Sequence, residues 1–196
     1  YICNFWYTKG YYYDGEDLDE YVKCRALEAQ YKNRYSLRSM NLYSILNHYL
    51  DDQDYMEAMM LSMMADPSSY KLSEFLGVLK EGFENLPLTA LEPELDRYLS
   101  RFFLIVEVQR ECRQALTMLD RTEKTLGSPE ILREYYPVFM AKLQLWKMAA
   151  STHIGDLKTF EDASHKADQF VREAKDIDLY LMYVIRCSVN LQDHLA

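Results

Sequence analysis

Apolar positions recur along this chain at intervals of three and four almost throughout, and the alternation that marks a half-buried strand is nearly absent. An aromatic stretch over 1–13 ends at Asp14-Gly15, a turn signal. The next segment, 18–32, carries a stripe of Leu18, Tyr21, Val22, Ala26 and Ala29. Its acids Asp17, Asp19 and Glu20 fall in the first turn, where they complement the helix dipole. Residues 36–50 place Leu42, Ile45, Leu46 and Tyr49 on one helical face. The polar run over 51–54 breaks that pattern and predicts a cap for a helix over 55–65, which Asp66-Pro67 stops.

Ser73 predicts the cap of a further helix reaching Glu84, with Phe75, Leu76, Leu79 and Phe83 as its apolar side and Gly77 and Gly82 interrupting it. Residues 85–92, with Pro87 and Pro93 close by, read as a linker. A pair of helices over 94–108 and 110–126 follows, ended by Gly127. Ser128-Pro129-Glu130 restarts the chain, with Ser at the cap and Pro at the first helical position. Pro137 is expected to kink or split the helix that runs on to His153. Gly155-Asp156 turns the chain into 157–175, and 178–195 closes it. The expectation is an all-α chain of about ten helices joined by short loops.

Helix pairs on short loops invite a search for self-similarity. Laying 6–29 on 42–65, an offset of 36, matches Tyr7 with Tyr43, Tyr13 with Tyr49, Val22 with Ala58 and Ala29 with Ala65, and brings the acidic turns together at Glu16 and Asp52. Small side chains let helices approach closely, and large ones fill the adjoining grooves. On these residues the chain resembles the tetratricopeptide repeat (TPR) family. The first unit has Trp6, Gly10 and Tyr13, then Ala26 and Ala29; the second has Leu42, Ile45 and Tyr49, then Ala58, Ala65 and Asp66-Pro67. Later units are degenerate, with Leu99, Phe102, Phe103 and Val106 before Ala115 and Leu119, and Gly155-Asp156-Leu157 before Ala163 and Ala167. Lys9 and Leu46 depart from the family pattern, which expects an apolar residue and a Gly or Ala there.

The resemblance implies an α-α superhelix of stacked antiparallel helix pairs. Two TPR-like pairs would fill 1–67, a non-standard helix and linker 68–93, and further degenerate pairs with a capping helix 94–196, as one continuous solenoid. Other helix-pair solenoids, such as those preceding PCI domains in proteasome-lid subunits, and a globular bundle are the alternatives.

Composition sharpens this picture. With 6 Gly and 5 Pro among 196 residues, turn-formers are scarce, which favours long helices. There are 31 acidic and 22 basic side chains, a net charge of −9, so the overall positive field that attracts nucleic acid is missing. No apolar run approaches the ~18 residues of a membrane span, and 179–185 is core-sized. That apolar stretch would cap the stack or make a homo-oligomer contact through the C-terminal helix. The cysteines Cys3, Cys24, Cys112 and Cys187 are widely spaced and read as buried thiols of a reducing, cytoplasmic setting. A start at Tyr1 without a basic and apolar leader reads as a piece of something longer.

Candidate chemistry is sparse. No H-E-x-x-H, G-x-S-x-G, P-loop or G-x-G-x-x-G signature occurs, so neither an enzyme nor a cofactor is expected. Glu161 and His165, four apart on one helix face, are the residues a metal protein would use. Acids crowd 14–20, and Lys23, Arg25, Lys32, Arg34 and Arg38 follow, either as solvated helix faces or as a charged lip beside a groove. The chain holds 17 Tyr, a side chain whose rigid area and polar tip suit interfaces. Met56, Met59, Met60, Met63 and Met64 crowd one helix and suit the joint between successive units.

In the TPR family the first helix of each unit lines a concave wall. Carried over, that wall takes Asn4, Tyr7 and Tyr11 from the first unit, Tyr43 and Asn47 from the second, and Arg97, Ser100 and Glu107 from the third pair. Asn47 resembles the asparagine of chaperone-tail-binding grooves, without the accompanying lysine and arginine set. The functional expectation is a non-catalytic module binding a peptide or helix of a partner protein. The alternative is a ligand- or peptide-sensing regulatory domain cut from a larger signalling or transcription protein.

Overall fold

The computed structural model describes residues 23–24, 42–65 and 68–195, the last six of these by backbone alone. The expected elements over 1–22 and 25–41, including Asn4, Tyr7 and Tyr11, lie outside the described residues. Among the described residues the chain is all-helical, with no strand and eight helices of ten residues or more. The chain forms two compact units, 1–85 and 86–196.

In the first unit α1 (Leu42–Asp51), α2 (Tyr55–Met64) and α3 (Tyr70–Asn85) all pack on one another. The stripe read from the sequence is the one α1 buries, with Ile45, Leu46 and Tyr49 fully covered. α2 is apolar all round, and Met56, Met59, Met60 and Met63 are buried with Ala58 and Leu61. Unbranched thioethers fill irregular space between helices at small conformational strain. Asp54 stands at the N-cap of α2 but makes no side-chain capping bond; its carbonyl accepts from Ala58 N at 3.1 Å instead. The start of α3 corrects an expectation. Ser73 is not the cap: the helix begins at Tyr70, and the Ser69 carbonyl accepts from Leu72 N at 3.1 Å. The Ser69 hydroxyl accepts a hydrogen bond from the Tyr43 phenol, which ties α1 to the entry of α3.

Gly82 is where α3 meets Tyr55. A Cβ built at Gly82 would come within 2.4 Å of the Tyr55 ring, which packs on Phe83 with ring centres 5.2 Å apart.

The second unit contains α4 (Leu88–Ser100), a π-helical segment (Phe103–Val108), α5 (Cys112–Leu126), α6 (Tyr136–Ile154), α7 (Leu157–Ala174) and α8 (Ile177–Leu195). The boundary between the two units falls within the linker expected over 85–92, which is shorter than expected because α4 begins at Leu88. Pro87 sits at the N-cap position with extended backbone, and Pro93 is carried inside that helix. Ser128 and Pro129 act as read: the Ser128 hydroxyl accepts from Ile131 N at 3.4 Å, and a single helical turn Pro129–Leu132 follows. A 3-10 turn, Arg133–Tyr135, then separates it from α6, with Pro137 in the first turn of α6.

α6 is the centre of this unit. It is buried nearly all round, and α4, α5, α7 and α8 each pack against it. Gly155 closes it in the left-handed region (φ 69°), a conformation that costs an L side chain about 1 kcal/mol. Asp156 then caps α7, accepting from Thr159 N at 3.1 Å. Lys147, on α6, is buried and held by Asp120 and by Glu123 Oε2 at 2.5 Å, while Lys166 reaches Glu123 Oε1 at 2.8 Å.

Candidate functional site

The second unit has a groove lined by α4, α6 and α8, with a cavity of about 290 Å³. Its floor and walls are apolar: Leu99 from α4, Leu145 and Trp146 from α6, Leu179 and Met182 from α8. Each wall follows from helical spacing. Leu95 and Leu99 are one turn apart and buried, so the edge of the same face delivers Asp96 and Ser100 to the groove mouth. Leu179 is buried under α8, and Met182 and Arg186 lie one and two turns along the same side.

Charges are held in place at the rim. Asp96 Oδ1 accepts from Lys142 Nζ at 2.7 Å and from the Tyr135 phenol. Burial, and then the Asp96 carboxylate, push the Tyr135 hydroxyl well above its ordinary value, which keeps it protonated and a donor. Arg186 donates to Glu107 Oε1 at 2.8 Å and lies over the Trp146 ring, 5.8 Å from its centre. Glu107 comes from the π-helical segment, where Gln109 N bonds Leu104 O at 2.9 Å in the wider i→i+5 pattern. Its other oxygen lies 3.0 Å from His153 Nε2, and the Arg110 guanidinium reaches both ring nitrogens of His153, Nδ1 at 2.7 Å and Nε2 at 2.6 Å. Burial alone would raise the Glu107 carboxyl, but the His153 and Arg186 hydrogen bonds outweigh it and hold the group below its ordinary value.

The first unit has a groove of about 300 Å³, lined by Tyr43, Ser44 and Asn47 of α1 and Lys71, Glu74, Phe75 and Val78 of α3. The Lys71 ammonium lies over the Tyr43 ring, 5.6 Å from its centre. Neither groove takes a lining residue from the intervening helices α2, α5 or α7.

Tyr43 and Asn47 are thus brought together in the first unit, and Ser100 lines the groove of the second. Arg97 lines neither; its side chain is exposed and paired with Glu94 at 3.4 Å. Ser100 donates its hydroxyl to the Arg97 carbonyl at 2.8 Å. Glu161 and His165 are both exposed, and among the described residues no three His, Cys, Asp or Glu side chains converge as metal ligands. Lys142, Trp146 and Arg186 were not singled out by the sequence. Trp146 is one of 2 tryptophans, and a tryptophan half-exposed on an otherwise buried helix is the signal that finds the groove. No helix among the described residues is long and apolar enough to cross a membrane. No protein-family model, no curated protein and no solved structure matches this chain.

Proposed function

We propose that this chain is a non-catalytic interaction module of stacked, TPR-like helix pairs, and that the α4/α6/α8 groove takes a bulky apolar side chain from a helix or peptide of a partner protein. The observation that carries this is that each groove is lined by alternate helices of its own unit, α1 and α3 in the first and α4, α6 and α8 in the second, with the helices between them set back from it. The packing within the second unit supports stacking, since α6 touches its own partner α7, the preceding α5, and the flanking α4 and α8. A largely apolar pocket with a few fixed polar groups at its mouth is suited to one anchor residue. Lys142 and Arg186 already have carboxylate partners, so shape and apolar contact supply the affinity and the rim sets orientation. In the first unit, Tyr43 and Asn47 would extend recognition to polar backbone or side chains of the same kind of ligand.

A random 12-residue peptide display library panned on the purified chain tests this. Enriched sequences should share one Leu, Phe or Trp anchor. Binding should fall at least tenfold in Trp146→Ala and in Ser100→Arg, which crowds the mouth, while Arg97→Ala keeps it. Enrichment without a common apolar anchor, or binding indifferent to Trp146, would remove the groove from the reading.

A further inference from the structure

The helix that closes the second unit is apolar on both sides. Leu179 is buried against the unit, yet Ile177, Tyr180, Leu181, Val184, Ile185 and Val189 are all exposed, Ile177 at 68 % and Ile185 at 59 %. Ile177, Leu181, Val184 and Ile185 follow one another at intervals of four, three and one, which places them on a single stripe. From Leu179 to Ile185 the helix carries no charged residue, and Arg186 is turned to Glu107 and Trp146.

We infer that this face pairs with the same face of a second copy of the chain, antiparallel and about a two-fold axis beside Tyr183. The stripe is its own complement in that register. Leu181 meets Ile185 of the other copy, Ile177 meets Val189, and Asp178 meets the Ser188 hydroxyl, so no like charges face each other. Ile177, Leu181, Val184, Ile185 and Val189 offer roughly 500 Å² per copy, about 1,000 Å² for the pair, which is below the ~1,200–2,000 Å² of stable interfaces and makes this a weak dimer that dissociates on dilution. A membrane surface suits the face less well: a chain of net charge −9 is repelled by anionic headgroups. The inference is independent of the groove, because none of the six residues lines it.

Light scattering on the size-fractionated full chain, over dilution from hundreds of micromolar to below one micromolar, tests this. Twice the chain mass is expected at the top of the series, with dissociation on dilution. The double variant L181E/I185E should run as monomer throughout with unchanged helical circular dichroism. L181E/I185K should recover the dimer, since each glutamate then faces a lysine of the other copy only in the antiparallel register. A wild-type monomer at every concentration, a dimer indifferent to L181E/I185E, or a monomer that instead binds neutral phosphatidylcholine vesicles would overturn the inference. Should L181E/I185E fail to fold, the milder Ile185→Ser must still shift the dissociation midpoint at least tenfold toward higher concentration, and an unmoved midpoint counts against it.

Discussion

Thr122 and Tyr98 form a buried polar pair in the second unit whose two members are not interchangeable. Thr122 Oγ1 stands 2.9 Å from the Met118 carbonyl and 2.5 Å from the Tyr98 hydroxyl. Thr122 has a single proton, and the carbonyl can only accept, so the threonine donates to Met118 and accepts from Tyr98. Burial drives the Tyr98 hydroxyl far above its ordinary value, so it remains a donor. Removing the phenol oxygen leaves threonine its carbonyl partner; removing the threonine oxygen leaves a fully covered hydroxyl with nothing to donate to. Tyr98→Phe is therefore expected to cost about 1 kcal/mol and Thr122→Val about 2 kcal/mol, because an orphaned buried donor costs more than a lost bond. Denaturant midpoints compared at constant m check this; a larger cost for Tyr98→Phe would reverse the assignment of donor and acceptor.

Among the elements, what could be read in advance was what local chemistry decides. Ser128 before Pro129 and Gly155 before Asp156 are short-range signals, and the chain turns at both as expected. The start of α3 was misread because Ser73 looks like a cap in isolation, whereas Ser69 is held to α1 through Tyr43, a contact no window of neighbouring residues contains. The linker over 85–92 was read too long because two prolines suggested a break, although the first opens α4 and the second is carried within it. The π-helical segment has no signature distinct from an α-helical stripe. The grooves were half legible: the sequence singled out Tyr43, Asn47 and Ser100, but the convergence of Trp146, Met182 and Arg186 is a property of packing. The two glycines of α3 separate local from tertiary effects. Nothing lies within 4 Å of a Cβ at Gly77, so Gly77→Ala should stabilise by about 0.5–1 kcal/mol through helix propensity alone. Gly82→Ala gains the same propensity but drives into the Tyr55 ring and should destabilise by about 1 kcal/mol net. Thermal melts of both variants check the opposite signs, and in a Tyr55→Ala background the Gly82→Ala penalty should vanish.

For the molecule as a whole, two half-buried glutamates of the second unit contribute to the response to acid. Burial pushes Glu123 up, but hydrogen bonds from Lys147 and Lys166 outweigh it and hold it below the ordinary 4.5. Glu107 is lowered in the same sense by His153 and Arg186. A carboxylate whose folded value lies below its unfolded one binds fewer protons when folded. Its contribution to stability is fully present above pH 4.5 and is lost as pH falls through the lowered folded value. The unfolding free energy should therefore fall as pH drops below about 4.5, and a Glu107→Gln, Glu123→Gln double variant should show a shallower fall there. Urea titrations at a series of pH values measure it; an unchanged slope in the double variant would place the acid response elsewhere among the 31 carboxylates.

Trp146 gives the groove an optical reporter of its own. An indole half open to water and faced by the Arg186 guanidinium emits at a wavelength set by that polar surrounding. An apolar occupant that displaces solvent from the ring shifts the emission to the blue. With Trp6 the only other tryptophan, one replacement there leaves a single lamp, placed where the partner would sit.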